Sequence, residues 1–264
     1  MQYDQELRQK RSHMGAQMRI VYEPRGRALE YSPLAVSLYR WCPFKCTYCF
    51  VPAMSKATEH LEPYTRKSAL SLLEKDCEEL QRTRDTREIL MSFTTDPYQP
   101  LNDTEQFTRQ AIKILIKYNR PFSVLTKGGH RSMQDFDLIA SRPDLGKYAT
   151  TLTCINLATE AQWEPYAASY KERIDALVEA HKRGIKTWVS MEPIIDPEQS
   201  LSLISITHAL GCVDLYRIGL LNHETLPFPR VALYDFVKKV KHILEDTDHV
   251  FKKDLYPYLQ EKQQ

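Results

Sequence analysis

Apolar residues recur along the chain in two rhythms, and their alternation lays out the fold. Short runs rich in β-branched and aromatic residues (LAVSLYR, EILMSF, FSVLTK, YATTLTCI, KTWVSM and VDLYRIG) are separated by longer stretches with apolar positions three and four apart. The pattern predicts six strand–helix units between residues 31 and 245. Strands that alternate with helices form a parallel sheet with right-handed crossovers. Six units fall short of a full eight-unit barrel, so the expected architecture is α/β, a partial, open (β/α)6 TIM barrel.

Helix boundaries carry their own signals. Asp103 and Gln106 are spaced as a capping box ahead of the apolar face Phe107, Ala111, Leu115 and Tyr118. Ser169 and Glu172 repeat the spacing ahead of Ile174, Leu177 and Val178, and Gly184 is placed to end that helix. Asp196 followed by Pro197 predicts an N-cap and first turn, closing at Gly211. A last helix is expected over 231–245. Residues 1–30 read as a polar, loosely ordered arm and residues 246–264 as a surface tail.

Composition changes little until the cysteines are considered. With 264 residues, 36 basic and 34 acidic side chains and a net charge of +2, the chain has no overall field that draws it to a polyanion. Nucleic acid is neither implied nor excluded. No segment has the apolar length of a signal peptide or membrane span, which predicts a cytoplasmic protein. In a reducing compartment, six cysteines point to metal binding or catalysis more than to disulfides.

Three of them, Cys42, Cys46 and Cys49, form C-x3-C-x2-C directly after the first strand. Structural zinc wants four ligands, and the nearest histidine, His60, lies eleven residues on. A ferredoxin-type carrier needs a fourth thiolate, whereas Cys77 falls on an apolar helix face with Ala69, Leu73 and Leu80. A 4Fe–4S cluster on three thiolates keeps one iron open, as catalytic metal sites do. A zinc-stabilised nucleic-acid-binding module without catalysis stands as the alternative.

The cysteine motif, with Tyr48 in its aromatic place, resembles the hallmark of the radical S-adenosylmethionine (radical SAM) superfamily. The stretches "YEPRGRALEYSPLAVSLYRWCPFKCTYCFVP", "SFTTDPYQPLN", "VLTKGGHRSMQDFDLIA", "WEPYAASYKERIDAL" and "SMEPIIDPEQSL" extend the likeness over residues 21–222. They are most similar to the spore photoproduct lyase-like, or DNA repair photolyase-like, branch. The resemblance implies a 4Fe–4S cluster on Cys42, Cys46 and Cys49 and S-adenosyl-L-methionine on its open iron. It also implies reductive cleavage to a 5′-deoxyadenosyl radical that abstracts a hydrogen atom. A low-potential donor of flavodoxin or ferredoxin type is the implied partner. DNA lesion repair by a lyase is the implied activity, with modification of RNA, a peptide or a small metabolite as alternatives.

The strand ends supply further candidates, because barrel enzymes place their chemistry there. Ser92, Thr94, Thr95 and Asp96 follow the second strand and suit the amine and ribose of the cofactor. By similarity, Lys127 meets its carboxylate and Asn156 its ribose or methionine end. Glu192 is expected to take a cofactor or substrate role, with Arg173 as its salt partner or a cofactor contact. Arg217 is a weaker substrate candidate. The family pattern breaks at Phe93, where the lyase has its hydrogen-donating cysteine; Cys154 is the weak candidate for a relocated donor. Cys212 and His130 are expected to be structural.

Overall fold

A computed structural model describes residues 19–57, 61–221 and 225–259. In chain order its elements are β1 (Leu34–Val36), β2 (Tyr39–Arg40), α1 (Val51–Met54), β3 (Tyr64–Thr65), α2 (Ala69–Arg82), β4 (Ile89–Met91), α3 (Leu101–Glu105) and α4 (Phe107–Lys117). There follow β5 (Phe122–Thr126), α5 (Phe136–Ser141), β6 (Gly146–Thr151), α6 (Leu157–Trp163), α7 (Tyr170–Lys182) and β7 (Lys186–Ile194). The chain continues with α8 (Pro197–Ala209), β8 (Leu215–Leu220), α9 (Ala232–Ile243) and β9 (Asp248–Phe251).

Seven strands form one parallel sheet in the order β1-β4-β5-β6-β7-β8-β9. Each crossover steps to the neighbouring position, as in a barrel that does not close. The strands read as nearly continuous apolar runs because both faces are covered. Alternate residues divide between two cores. Val36, Met91, Val124, Tyr148 and Val189 face the helices, whereas Ala35, Leu90, Ala149 and Trp188 fill the barrel interior. The six expected strands are all present. The seventh, β9, comes from the stretch read as tail: four residues, half of them polar, give no strand signal alone, and their pairing with β8 places them.

The helix signals divide. Ser169 and Glu172 make both bonds of a capping box, and α7 ends before Gly184, whose φ of +74° suits glycine. Asp196 caps α8 by accepting from Glu198 and Gln199 N–H. The box expected from Asp103 and Gln106 is absent. Gln106 takes a left-handed conformation (φ +53°) between α3 and α4, and Asp103 instead pairs with Arg131 at 3.0 Å. The extra turn of α3 consumes the residues that would have capped α4.

Residues 1–18 of the expected arm lie outside the described residues, as do 260–264 of the tail. Residues 19–30 are tied to the body: the buried Asp76 carboxylate accepts from the N–H groups of Arg19, Ile20 and Val21 at 2.7–3.0 Å. Tyr22 then bridges antiparallel to Ala35 at the β1 edge. Among the described residues no helix is long and apolar enough to cross a membrane.

Candidate active site

The C-terminal strand ends surround a cavity of about 580 Å³, bounded at one end by Tyr48, Asp96 and Lys127 and at the other by Arg27, Tyr31, Glu192 and Lys252. The cysteines sit behind its first wall. Trp41 and Lys45 adopt positive φ, and the Cys49 N–H donates to Cys46 O at 3.0 Å, so the motif winds as a tight loop rather than a strand or helix. Thr95 Oγ1 donates to Trp41 O at 2.7 Å and pins this loop to the β4 end.

All three thiols are free, Cys46 buried and its neighbours partly so. Burial pushes each of them up, Cys46 to about 11. The Lys127 charge acts in the opposite direction on all three, which puts it within electrostatic reach of each. The N–H groups of Phe44 and Val51 donate to the sulfurs of Cys42 and Cys49. Among the described residues no three His, Cys, Asp or Glu side chains converge as ligands of a single ion.

Lys127 follows β5, and its Nζ lies 5.4 Å above the Tyr48 ring. Burial lowers its pKa, but Cys46 and Glu164 outweigh burial and hold the ammonium charged. The next residue must be glycine, since a Cβ at Gly128 would lie 2.8 Å from Tyr98 Cβ and 2.9 Å from Tyr98 O. Asp96 is fully engaged. It accepts from Tyr98 N–H (2.8 Å), Thr126 Oγ1 (2.6 Å) and Lys127 N–H (2.8 Å), which locks the β4 loop onto β5. Burial raises its pKa even so.

Of the other predicted residues, Ser92 and Thr95 line the cavity while their hydroxyls hold the loop, Ser92 donating to Thr95 O at 2.7 Å. Thr94 donates to Ser37 and Asn156 caps α6, its side chain accepting from Ala158 and Thr159 N–H; neither is among the cavity-lining residues. Cys154 is buried, also outside the lining, and pushed by burial to about 12. Cys212 is a buried thiol, as expected. His130 pairs with Asp175 at 3.2 Å on the surface, and Arg217 stacks over Tyr31 and Trp188 beneath the cavity.

Arg173 does not pair with Glu192. Its Nη1 lies 2.6 Å from Glu164 Oε2, with both side chains almost wholly buried, and it also donates to Ala168 O and Thr151 O. The other Glu164 oxygen receives the Tyr48 hydroxyl. Arg173 and Lys127 outweigh burial and hold the Glu164 carboxyl below its ordinary range. Arg173, Glu164 and Tyr48 thus brace the cysteine loop from behind.

Glu192 has three other partners. Arg27 donates to it at 2.7 Å, Lys252 at 2.6 Å, and the Tyr31 hydroxyl binds the same oxygen as Lys252. Arg27 also reaches Leu220 O at 3.0 Å and Asp254 at 2.5 Å. Lys252 packs 3.9 Å over the Tyr31 ring, and burial pulls its pKa down. Gly219 leaves the room for this crossing: a Cβ there would meet Lys252 Cδ at 2.8 Å. Sequence reasoning missed Arg27, Tyr31, Glu164 and Lys252. Arg27 and Tyr31 stood in the quoted "YEPRGRALEY" run; Lys252, in the presumed tail, carried no signal.

Comparison with known proteins gives the family. The Radical SAM superfamily profile matches residues 36–204. An uncharacterized protein of Methanocaldococcus jannaschii is 24% identical over 216 residues, covering 80% of this chain and 74% of that protein. A Radical SAM Nalpha-GlyT isomerase of Pseudomonas phage M6 is 24% identical over 119 residues, 44% of this chain and 24% of the isomerase. Spore photoproduct lyase complexed with dinucleoside spore photoproduct superposes with a TM-score of 0.61 at 13% identity, covering 88% of this chain and 65% of the lyase. Streptococcus suis SuiB bound to S-adenosylmethionine gives 0.61 at 10% identity, with 85% of this chain and 48% of SuiB covered. The chain thus spans under two thirds of each of these solved structures. The family match takes in the cysteine loop, Lys127, Glu164 and Glu192 alike, and the chain belongs to the Radical SAM superfamily, enzymes whose cofactors are a 4Fe–4S cluster and S-adenosyl-L-methionine.

Proposed function

We propose that Cys42, Cys46 and Cys49 hold the cluster and that S-adenosyl-L-methionine occupies the cavity beside it, for hydrogen-atom abstraction from a substrate carbon. One observation carries this reading: the three thiols share one tight loop, and the charge of the half-buried Lys127 acts on each of them. The donor set fits the cofactor. A ligating thiol must lose its proton; burial opposes that loss at all three sulfurs, and the Lys127 charge assists it at each. A module without catalysis does not suit an enzyme family.

When bound, the cofactor pair supplies reductive cleavage of the sulfonium to a 5′-deoxyadenosyl radical. The chain's residues position it. Lys127 is placed for the methionine carboxylate, with Tyr48 beneath it. Ser92 and Thr95 hold the wall by donating to Thr95 O and Trp41 O, and Asp96 by accepting from the Lys127 N–H. Glu192, with its oxygens taken by Arg27, Tyr31 and Lys252, shapes the far end where substrate meets the cofactor. Thr94 and Asn156 act as loop and helix supports.

Alanine at Cys42, Cys46 or Cys49 is expected to abolish iron retention and 5′-deoxyadenosine formation, whereas Cys154→Ala keeps both. Full cleavage by any of the three loop variants removes the proposal. Lesion repair on DNA is a second reading, favoured by Arg25 at the cavity wall, which suits an anionic substrate. The cysteine donor of the lyase is replaced by Phe93, packed edge-on against Tyr31. Conversion of dinucleoside spore photoproduct to its thymine parent would support this reading, and an unaltered substrate beside abundant 5′-deoxyadenosine would remove it.

A further inference from the structure

On the β1 side of the cavity stands a pair of arginines that the cofactor chemistry does not use. Strands β2 and β3 pair antiparallel with Arg40 opposite Tyr64, and the Arg66 N–H continues the ladder by donating to Leu38 O at 3.3 Å. Directly opposed residues project from the same face of a ribbon, so Arg40 lies beside Tyr64, which is 56% exposed. Tyr39 turns the other way, and its hydroxyl donates to the buried Asn102. Arg66 Nη1 reaches Ser37 O at 3.3 Å, and Ser37 Oγ accepts from Thr94 Oγ1 at 2.8 Å. Phe93 and Thr95, either side of Thr94, line the cavity, so Arg66 stands next to its wall, on the outside.

These cations lack anions. Among the described residues neither Arg40 nor Arg66 forms an ion pair: Glu23 is taken by Arg87 at 2.6 Å, Glu105 acts on the Tyr39 side of the ribbon, and Glu62, exposed ahead of β3, is bonded to neither. The groups that act on Arg66 are Arg40, Tyr64 and Tyr22, and burial together with the Arg40 charge pulls its pKa down. Tyr22, bridged to Ala35 at the β1 edge, carries its hydroxyl toward Ser37 and within electrostatic reach of both arginines. That hydroxyl is buried and completes no hydrogen bond. Two guanidiniums held together without a carboxylate carry a cost that an oxyanion offsets, and the planar fork of donors matches phosphate.

We propose that Arg40 and Arg66, with the Tyr22 hydroxyl, form a binding site for the phosphate group of a ligand. As a phosphate site it stands independently of the proposed function; as a handle that holds a phosphate-bearing substrate beside the cavity it rests on that reading. The test therefore reads binding, on the anaerobically purified protein. Thermal unfolding is followed against inorganic phosphate, with chloride added to hold the ionic strength constant. Half-saturation is expected to move about tenfold higher in Arg40→Gln and in Arg66→Gln, as the loss of a charged hydrogen bond does, and to stay within about twofold in Arg84→Gln, an exposed arginine just past α2. Arg40 is itself exposed and its side chain makes no hydrogen bond among the described residues, so its substitution leaves the fold intact.

Two further probes name the source of the phosphate: glycerol 3-phosphate for a small phosphomonoester and single-stranded oligothymidylate for a phosphodiester strand. Binding of either one that Arg40→Gln and Arg66→Gln weaken supports the site and assigns its ligand class. Stabilisation by phosphate that both variants retain in full overturns the site, since it would reflect the general exclusion of the salt from protein surface. Phosphate binding that the variants lose while neither probe binds also overturns it, because the arginines would then hold an adventitious ion only. Formation of 5′-deoxyadenosine plays no part in these readouts, so failure of the site leaves the proposed function standing, and failure of that function leaves the phosphate site.

Discussion

Lys127 is the residue on which the account of cofactor binding turns. Its ammonium lies over the Tyr48 ring, and among the described residues it makes no ion pair. A half-buried cation without an ion-pair partner costs stability, and that cost is offset when a carboxylate arrives. Lys127→Met keeps the bulk of the side chain and removes the charge. It is expected to raise the KM for S-adenosyl-L-methionine about tenfold to a hundredfold, as the loss of a charged hydrogen bond does. The measurement is dithionite-driven 5′-deoxyadenosine formation against cofactor concentration, with iron content confirmed; an unchanged KM would place the carboxylate elsewhere. Spacing alone singled out the three cysteines, whereas Lys127 and Asn156 were named by resemblance to the superfamily. That Asn156 caps α6 and Thr94 bonds to Ser37 was not legible, because a polar side chain at a strand end looks the same whether it meets a ligand or caps the next turn.

Elements α6 and α7 brace the site through the Glu164–Arg173 pair. Removing one partner of a buried pair leaves the other charge uncompensated, at a cost of about 3–5 kcal/mol. Glu164→Gln is therefore expected to lower the urea midpoint well below wild type at neutral pH. The pH dependence has a definite sign. Burial raises the Glu164 carboxyl, but Arg173 and Lys127 outweigh it and set the folded-state value below the reference 4.5. A depressed carboxyl contributes stability above the unfolded value and loses it as pH falls through the folded value. The gap between wild type and Glu164→Gln should shrink when both are unfolded at about pH 4 or below; a gap that widened there would contradict the assignment. The α7 capping box and buried face were legible from Ser169, Glu172, Ile174 and Leu177. The partner of Arg173 was not, since Glu164 follows α6 in an irregular segment with no period to give its direction.

At the scale of the whole molecule, an open barrel has two free edges, and here the chain bridges between them. From the bridge at Ala35, residues 22–31 cross to Arg27, which binds Glu192 of β7, Leu220 of β8 and Asp254 beyond β9. Together with β9 this makes a cavity whose far wall comes from both ends of the described chain. Alternating strand and helix periods were enough to predict the parallel sheet, because each crossover is local in sequence. The wall built from Arg27 and Lys252 was not legible, since contacts more than two hundred residues apart leave no trace in a periodic pattern.

The central claim is that this scaffold turns a cysteine loop beside a half-buried lysine into a source of 5′-deoxyadenosyl radicals. The most direct test takes anaerobically purified protein, counts iron and sulfide, adds dithionite and S-adenosyl-L-methionine, and resolves the products by chromatography. The account predicts about four irons and four sulfides per chain, with 5′-deoxyadenosine formed only when the cluster is reduced. Zinc in place of iron, or a full iron–sulfur complement with no cleavage, would contradict it.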